Sequence, residues 1–396
     1  MMLTMIAWLV ALPSVFALAV FSVEVLLGLR HLSTREPPNA LCKAAIIIPA
    51  HNEAALIRDT VVALRAATEG SEAPLRLLVV ADNCSDATAQ LAREAGAEVA
   101  ERNDPSNRGK GFALSFGRDH LAADPPEVVL VVDADCRMDG RSIDHLIGSA
   151  FALRAPVQAV DLLIAPTDAP PLVQISNFAM LVKNLVRARG LYRWGGGIPL
   201  FGTGMAFPWS VFGACRLASA ETVEDLRLAL DLARKGIPVH LDEKATVVSA
   251  SAAAEDTGAQ RRRWELGFLR TASRDALPIL AEGVARRSRH LIALGLHLCV
   301  PPLALLLLVA TACLAGTAAI AAATGNWWPA VTLLSAMTVA VVATLLAWWK
   351  EGRSTLALAT LGRAPFYVLS KIPVYLGLFT SRQAGWNRTR RPNEPR

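Results

Sequence analysis

Between Lys43 and Leu163 the chain alternates short apolar runs with stretches of helical character, and this alternation limits the fold more than any other feature. KAAIIIPA (43–50), LRLLVVAD (75–82), AEVAE (97–101), VVLVVD (128–133) and VQAVDLL (157–163) read as strands. A helix beginning near Glu53, SDATAQLAREAG (85–96) and KGFALSFGRDHL (110–121) lie between them. Such an order builds an α/β domain, a mostly parallel sheet with helices on both faces. Ligands of these sheets bind beyond the carboxyl ends of the strands, where Pro49, His51, Asp82 and Asp133 fall. PAHNEAALI stands where a dinucleotide-binding G-x-G-x-x-G would follow the first strand, and no G-x-x-x-x-G-K-[ST] is present. Nicotinamide dinucleotide and P-loop phosphate binding both lose ground.

The run EVVLVVDADC (127–136) ends a buried strand on two aspartates one residue apart. In extended backbone Asp133 and Asp135 face the same side. Two carboxylates that close raise each other's pKa unless a positive charge lies between them. Acids in a surface turn are the bland alternative. The apolar strand and its place in the sheet favour Mg2+ or Mn2+, held by one or two carboxylates with phosphate oxygens completing the shell.

Other polar stretches carry two readings each. Asp82 opens DNCSD, where Ser85 or Asp86 can cap the next helix while Asp82 faces a ligand. NRGKG (107–111) is a solvated loop before a helix, or a diphosphate cradle of amide donors and the Lys110 ammonium. Glu224 and Asp225 open the amphipathic stretch ETVEDLRLALDLARKG (221–236), where acids suit the helix dipole. A carboxylate there can also take a proton from an attacking hydroxyl. QRRRW (260–264) is either a basic cluster meeting lipid headgroups, or a fixed cation at Arg263 beside an aromatic platform at Trp264.

With 53% hydrophobic and 19% charged residues, the chain is too apolar for an ordinary soluble enzyme. Leu3 to Val23 is uncharged and followed by Arg30, His31, Arg35 and Lys43, as an anchor with its N-terminus outside requires. A second span is expected at about 291–323, where Pro301-Pro302 either kinks it or marks its start. The third, about 327–349, lies between Trp327-Trp328 and Trp348-Trp349. Residues 364–380 are apolar but short and broken, and read as interfacial or re-entrant, ahead of a basic cytosolic tail. The expected domains are therefore an anchor (1–30), a cytosolic catalytic domain (31–275) and a membrane-associated remainder (276–396). Spans free of buried charge argue against a transporter or channel. The net charge of +6 gathers beside apolar stretches, so anionic lipid explains it better than nucleic acid. Six scattered cysteines with no C-x-x-C pair point to reduced thiols in the cytosol.

Taken in order, IIIPAHNE, VVADNCSD, GKG, VVDADC, GTGMAF, VED and QRRRW resemble the membrane-bound inverting glycosyltransferases of family two, which include cellulose and hyaluronan synthases and bacterial exopolysaccharide enzymes. The resemblance covers about residues 44 to 270. It implies a GT-A, Rossmann-like nucleotide-sugar domain with Asp82 at the nucleobase and Pro49, His51 and Glu53 lining the same pocket. Lys110 would lie near the nucleotide or its diphosphate. Asp133 and Asp135 would hold the diphosphate, Asp135 through Mg2+ or Mn2+. Gly202, Thr203 and Gly204 would line the acceptor channel, and Asp225, beside Glu224, would be the general base. Gln260, Arg263 and Trp264 would hold the diphosphate and the acceptor sugar. The implied reaction moves a sugar, from UDP-sugar first of all, to a lipid-linked or polysaccharide acceptor in β-linkage at the inner face of the cytoplasmic membrane. A ceramide- or hopanoid-type glucosyltransferase, a processive synthase working with an export or channel partner, and an idle scaffold subunit are the alternatives. Two departures from the family pattern stand out. Ala81 to Asp86 (ADNCSD) replaces the commoner D-D-G-S-T-D, and three spans are few for a self-translocating synthase.

Overall fold

The computed structural model describes residues 1–33, 42–69, 75–166, 169–219, 221, 223–250 and 254–377, with backbone alone for 250 and 254–260. The elements run α1 (Met2–Gly28), β1 (Ala44–Ala50), α2 (Ile57–Ala67), β2 (Leu75–Asp82), α3 (Thr88–Glu94), β3 (Glu98–Arg102), α4 (Lys110–Leu121), β4 (Val128–Val131), β5 (Cys136–Arg137), α5 (Gly140–Leu153) and β6 (Val157–Ile164). Then come α6 (Pro171–Leu181), a π-helical turn (Val182–Arg187), α7 (Ala188–Gly195), β7 (Met205–Pro208), α8 (Trp209–Phe212), α9 (Glu224–Arg234) and β8 (His240–Ala250). The chain continues through α10 (Ala254–Ala285), α11 (Arg289–Leu298), α12 (Leu303–Thr324) and α13 (Trp328–Ala347). A second π turn (Trp348–Gly352) and three short helices follow: α14 (Leu358–Leu361), α15 (Ala364–Ser370) and α16 (Ile372–Leu376). Two compact units emerge. Among the described residues, one falls within 1–31, 165–195 and 268–377, the other within 32–164 and 196–267.

The second unit is built on an eight-stranded sheet in the order β3-β2-β1-β4-β7-β6-β8-β5. β1 pairs in parallel with β2 and β4, and β2 with β3. This is the expected parallel half. It holds the fully buried Ile46, Ile47 and Ile48 of β1 and Val128 to Val132 of β4 and its continuation. Both faces of these strands are covered, which is why their sequence is continuously apolar rather than alternating. The other half departs from the expectation. β7 runs antiparallel to both β4 and β6, β8 lies parallel to β6, and β5 is antiparallel to β8. The sheet is mixed, and short β7 passes between β4 and β6. The helix expected from Glu53 starts at Ile57, because Asn52 takes a left-handed φ of 54° and residues 53–56 first make a turn. Asp86, rather than Ser85, serves the start of α3 by accepting from the Thr88 amide at 3.0 Å. Asp139 caps α5 through the Ser142 amide at 2.7 Å.

In the first unit three helices are long and apolar enough to cross a membrane: Met2–Gly28, Leu303–Thr324 and Trp328–Gly352. Of the two readings of Pro301-Pro302, the start is observed: α11 ends at Leu298 and α12 begins at Leu303. Proline has no amide to continue the ladder of the preceding turn. Trp327, Trp328 and Trp349 are exposed near the ends of α13. Residues 165–195, expected within the catalytic domain, group instead with these helices, because α6, the π turn and α7 bury apolar side chains there. The segment from 364 is two short helices as far as residue 377; residues 378–380 and the basic tail lie outside the described residues.

One expectation is corrected here. The spans do carry a buried charge, because α1 extends past Val23 and includes Glu24, which is fully buried. Arg187 Nε donates to Glu24 Oε2 at 2.7 Å, and His297 Nδ1 lies 2.8 Å from Oε1. The helices that carry these groups are almost in backbone contact. A Cβ at Gly28 would stand 1.8 Å from the Val186 carbonyl oxygen, and one at Gly190 would stand 1.8 Å from that of Glu24. Only glycine permits such an approach. Arg189 adds hydrogen bonds to Gly28 O at 2.9 Å and Glu351 Oε1 at 2.8 Å.

Candidate active site

The site lies at the carboxyl ends of β1, β2 and β4. β1 delivers Pro49 and, just beyond its end, His51 and Glu53; β2 ends on Asp82. Left-handed Asn52 and Asn83 (φ 54° and 52°) turn both chains sharply at the sheet's edge. His51 Nδ1 lies 2.7 Å from the Asp82 carbonyl oxygen, and the Glu53 amide donates to Thr88 Oγ1 at 2.8 Å. Of the four residues expected to line one pocket, His51 and Asp82 are thus in direct contact, while Glu53 is tied to Thr88. Asp82 is buried, and its Oδ1 accepts from Arg102 at 2.6 Å and from the Asn83 amide group at 3.0 Å.

β4 carries the chain to Asp133 and Asp135. Ligand atoms of Asp133, Asp135 and Cys136 lie within 4.8 Å of one another. Two hard carboxylate oxygens at that spacing suit Mg2+ or Mn2+. Asp133, 34% exposed at its side chain, donates its amide to Thr203 Oγ1 at 3.1 Å. Its carboxylate is bonded to the Lys110 ammonium, which also donates to Gly202 O at 2.8 Å.

Lys110 is therefore the hub. It opens α4 directly after Gly109, whose φ is 130°. Gly111 keeps that first turn close to the 217–219 segment, since a Cβ there would meet Leu217 O at 2.4 Å. Burial alone would lower the Lys110 pKa, but the charges of Asp133, Glu224 and Asp225 raise it, so the ammonium stays charged. Gly202, with φ 95°, lies between Lys110 and α9: a Cβ there would lie 3.4 Å from Asp225 Oδ2 and 3.7 Å from Lys110 Nζ. Burial, then the charge of Asp225, pushes Glu224 up to about 7, against the pull of Lys110. A small open cleft lies beside these groups, with Lys110, Gly202, Glu224, Asp225, Arg216 and Leu228 among its walls.

The structure brings together Lys110, Asp133, Gly202, Thr203, Glu224 and Asp225, with Asp135 beside Asp133. Arg263 and Trp264 are half-buried on α10, and Gln260 is on the same helix with its side chain outside the described residues. Three residues were not foreseen. Cys136 follows the D-x-D directly, so its adjacency was a readable sign. Gln158, fully buried on β6, donates to Thr203 O at 2.8 Å and accepts from the Phe201 amide at 2.9 Å, holding the 201–204 loop. A lone glutamine inside VQAVDLL was its signal. Arg102, which pairs with Asp82, ends an ordinary short strand and gave none.

Residues 45–179 match the family model described as Glycosyl transferase family 2. The probable glycosyltransferase YdaM of Bacillus subtilis is 32% identical over 138 residues, 30% of this chain and 31% of that protein, so the match spans about a third of the relative. Among solved structures, the mannosyltransferase PcManGT of Pyrobaculum calidifontis, in complex with GDP-Man and Mn2+, superposes with a TM-score of 0.54 at 18% identity, over 91% of this chain and 98% of that one. The glucosyl-3-phosphoglycerate synthase of Mycobacterium tuberculosis, with Mn2+, UDP and phosphoglyceric acid, gives a TM-score of 0.38 at 19% identity, covering 57% and 76%. The chain thus has a mixed α/β fold of the GT-A, Rossmann-like type, within which residues 45–179 are similar to glycosyltransferase family 2 domains.

Proposed function

We propose that the chain is a metal-dependent inverting glycosyltransferase anchored in the cytoplasmic membrane, moving a sugar from a nucleoside-diphosphate donor, UDP-sugar first of all, to a lipid-linked or polysaccharide acceptor in β-linkage. One observation carries this reading. Asp133 of the D-x-D and the Glu224–Asp225 pair, 91 residues further along, converge on Lys110 and Gly202. Metal aspartates and a carboxylate base belong on either side of a reacting anomeric carbon.

Pro49, His51, Glu53 and Asp82 receive the nucleobase. Asp133 and Asp135 would hold Mg2+ or Mn2+ against the diphosphate, and the ion would supply charge neutralisation on the leaving group. Asp225 accepts the proton of the acceptor hydroxyl, which attacks from the face opposite the departing diphosphate. Lys110 and Arg263 offer positive charge to the leaving phosphates. Gly202 to Gly204, narrow because two of the three lack side chains, give the acceptor passage to Asp225. Trp264 supplies a flat apolar face for its sugar. In this reading 31–164 and 196–275 lie in the cytosol and the N-terminus outside, supported by the basic residues that flank the apolar helices. Such a chain works alone or beside an export partner.

The test is release of nucleoside diphosphate by the purified full chain in lipid, over a panel of nucleotide sugars, with and without EDTA. Release with at least one donor, lost on chelation and restored by Mn2+, is expected. No release with any donor and acceptor would overturn the enzyme reading; release that survives complete chelation would overturn the metal's part in it.

A further inference from the structure

We propose that Lys110 is a resident cation that occupies Asp133 until a nucleoside diphosphate draws it away, so that divalent metal and nucleotide bind as a coupled pair. The inference rests on the metal reading of Asp133 and Asp135 given above.

Four carboxylates, Asp133, Asp135, Glu224 and Asp225, surround this region, and the Lys110 charge is coupled to three of them, Asp133, Glu224 and Asp225. Its ammonium spends one donor on Asp133 and a second on Gly202 O at 2.8 Å. Three donors on a four-carbon stem make a mobile point charge, unlike the rigid fork of arginine. A divalent ion arriving alone meets an aspartate already engaged and a like charge within hydrogen-bonding reach of it. A diphosphate changes both conditions. It gives the ammonium new acceptors and brings negative charge that favours the ion. Lys110 can then leave Asp133 while remaining anchored through Gly202. Because coupling between two ligands is reciprocal, the residue that delays the metal also makes nucleotide binding depend on it.

The experiment uses the full chain in lipid nanodiscs and follows Mn2+ by the loss of its free paramagnetic signal, alone and with UDP or GDP, after subtracting the association of Mn2+ with nucleotide in solution. Lys110→Met is expected to bind Mn2+ alone at least tenfold more tightly than the unaltered chain. Its gain in Mn2+ affinity on adding nucleotide should shrink at least tenfold. Lys110→Gln, which keeps a donor for Gly202 O, should behave the same way and covers a folding failure of the methionine variant. Arg108→Met removes an exposed charge two residues away and should leave both quantities unchanged; Asp133→Asn should abolish the tight site in every background. Mn2+ affinity of Lys110→Met equal to or weaker than that of the unaltered chain, or a coupling that persists in it, overturns the proposal. An equal gain from Arg108→Met also overturns it, by reducing the effect to general charge. If the unaltered chain takes up Mn2+ neither alone nor with either nucleotide, the metal reading itself falls, an outcome distinct from the others.

Discussion

At Gly202 the backbone takes a φ of 95°, and a Cβ there would stand in van der Waals contact with Asp225 Oδ2 at 3.4 Å, so the carboxylate proposed as base faces bare backbone. Asp225→Asn keeps that packing and removes the proton acceptor. Its kcat for nucleoside diphosphate release should fall by about 10²–10⁴-fold with donor affinity retained; a variant that still turns over at the original rate would move the base elsewhere. Glu224 behaves differently. Its carboxyl is raised from 4.5 to about 7 in the folded chain, so between those values the folded state binds a proton that the unfolded state has lost. Stability from this group is therefore present below pH 4.5 and lost as pH rises through 7. Glu224→Gln should raise the Tm at pH 8 and leave it little changed near pH 4.5, a gain of about 1–3 kcal/mol after allowing for partial exposure. A Tm at pH 8 that stays put or drops would refute the assignment. The D-x-D, GKG and GTG were legible because each sits at a strand end or turn where few residue types serve. Gln158 and Arg102 escaped because their importance lies in partners 45 and 20 residues away in sequence, which no local pattern records.

Among elements, β1, β2, β3 and α4 could be read almost to the residue, β1 and β2 because largely buried strands show as apolar runs bounded by turns. β7 could not. It has four residues, and it pairs antiparallel between strands whose own order suggested a parallel sheet. The grouping of 165–195 with the apolar helices was equally hidden, because it depends on Gly28 and Gly190 facing each other's helix rather than on composition. The polar seam beside that crossing invites a test. Arg187→Met leaves Glu24 buried without its guanidinium and should cost about 3–5 kcal/mol, read as thermal unfolding in detergent. Replacing both partners, Glu24→Leu with Arg187→Met, should cost less than the single change. A double variant less stable than the single would show that the pair contributes more than compensation of a buried charge.

For the whole molecule, the proposed topology puts the turn at Asn326, between α12 and α13, outside the cytosol and Arg216 within it. In a cysteine-free background, Asn326→Cys should react with a membrane-impermeant maleimide in intact cells, while Arg216→Cys should react only after lysis. The reverse pattern would invert the topology. The seam around Glu24 also bears on biogenesis. Its partners Arg187 and His297 lie 163 and 273 residues downstream. A ribosome that has finished the first helix has made neither of them. In the proposed topology the first helix is retained during that interval by its greasy length alone, and its acid waits at the bilayer edge for chain still to be translated. Nascent chains stalled between these two positions are the forms a membrane quality-control protease is expected to clear.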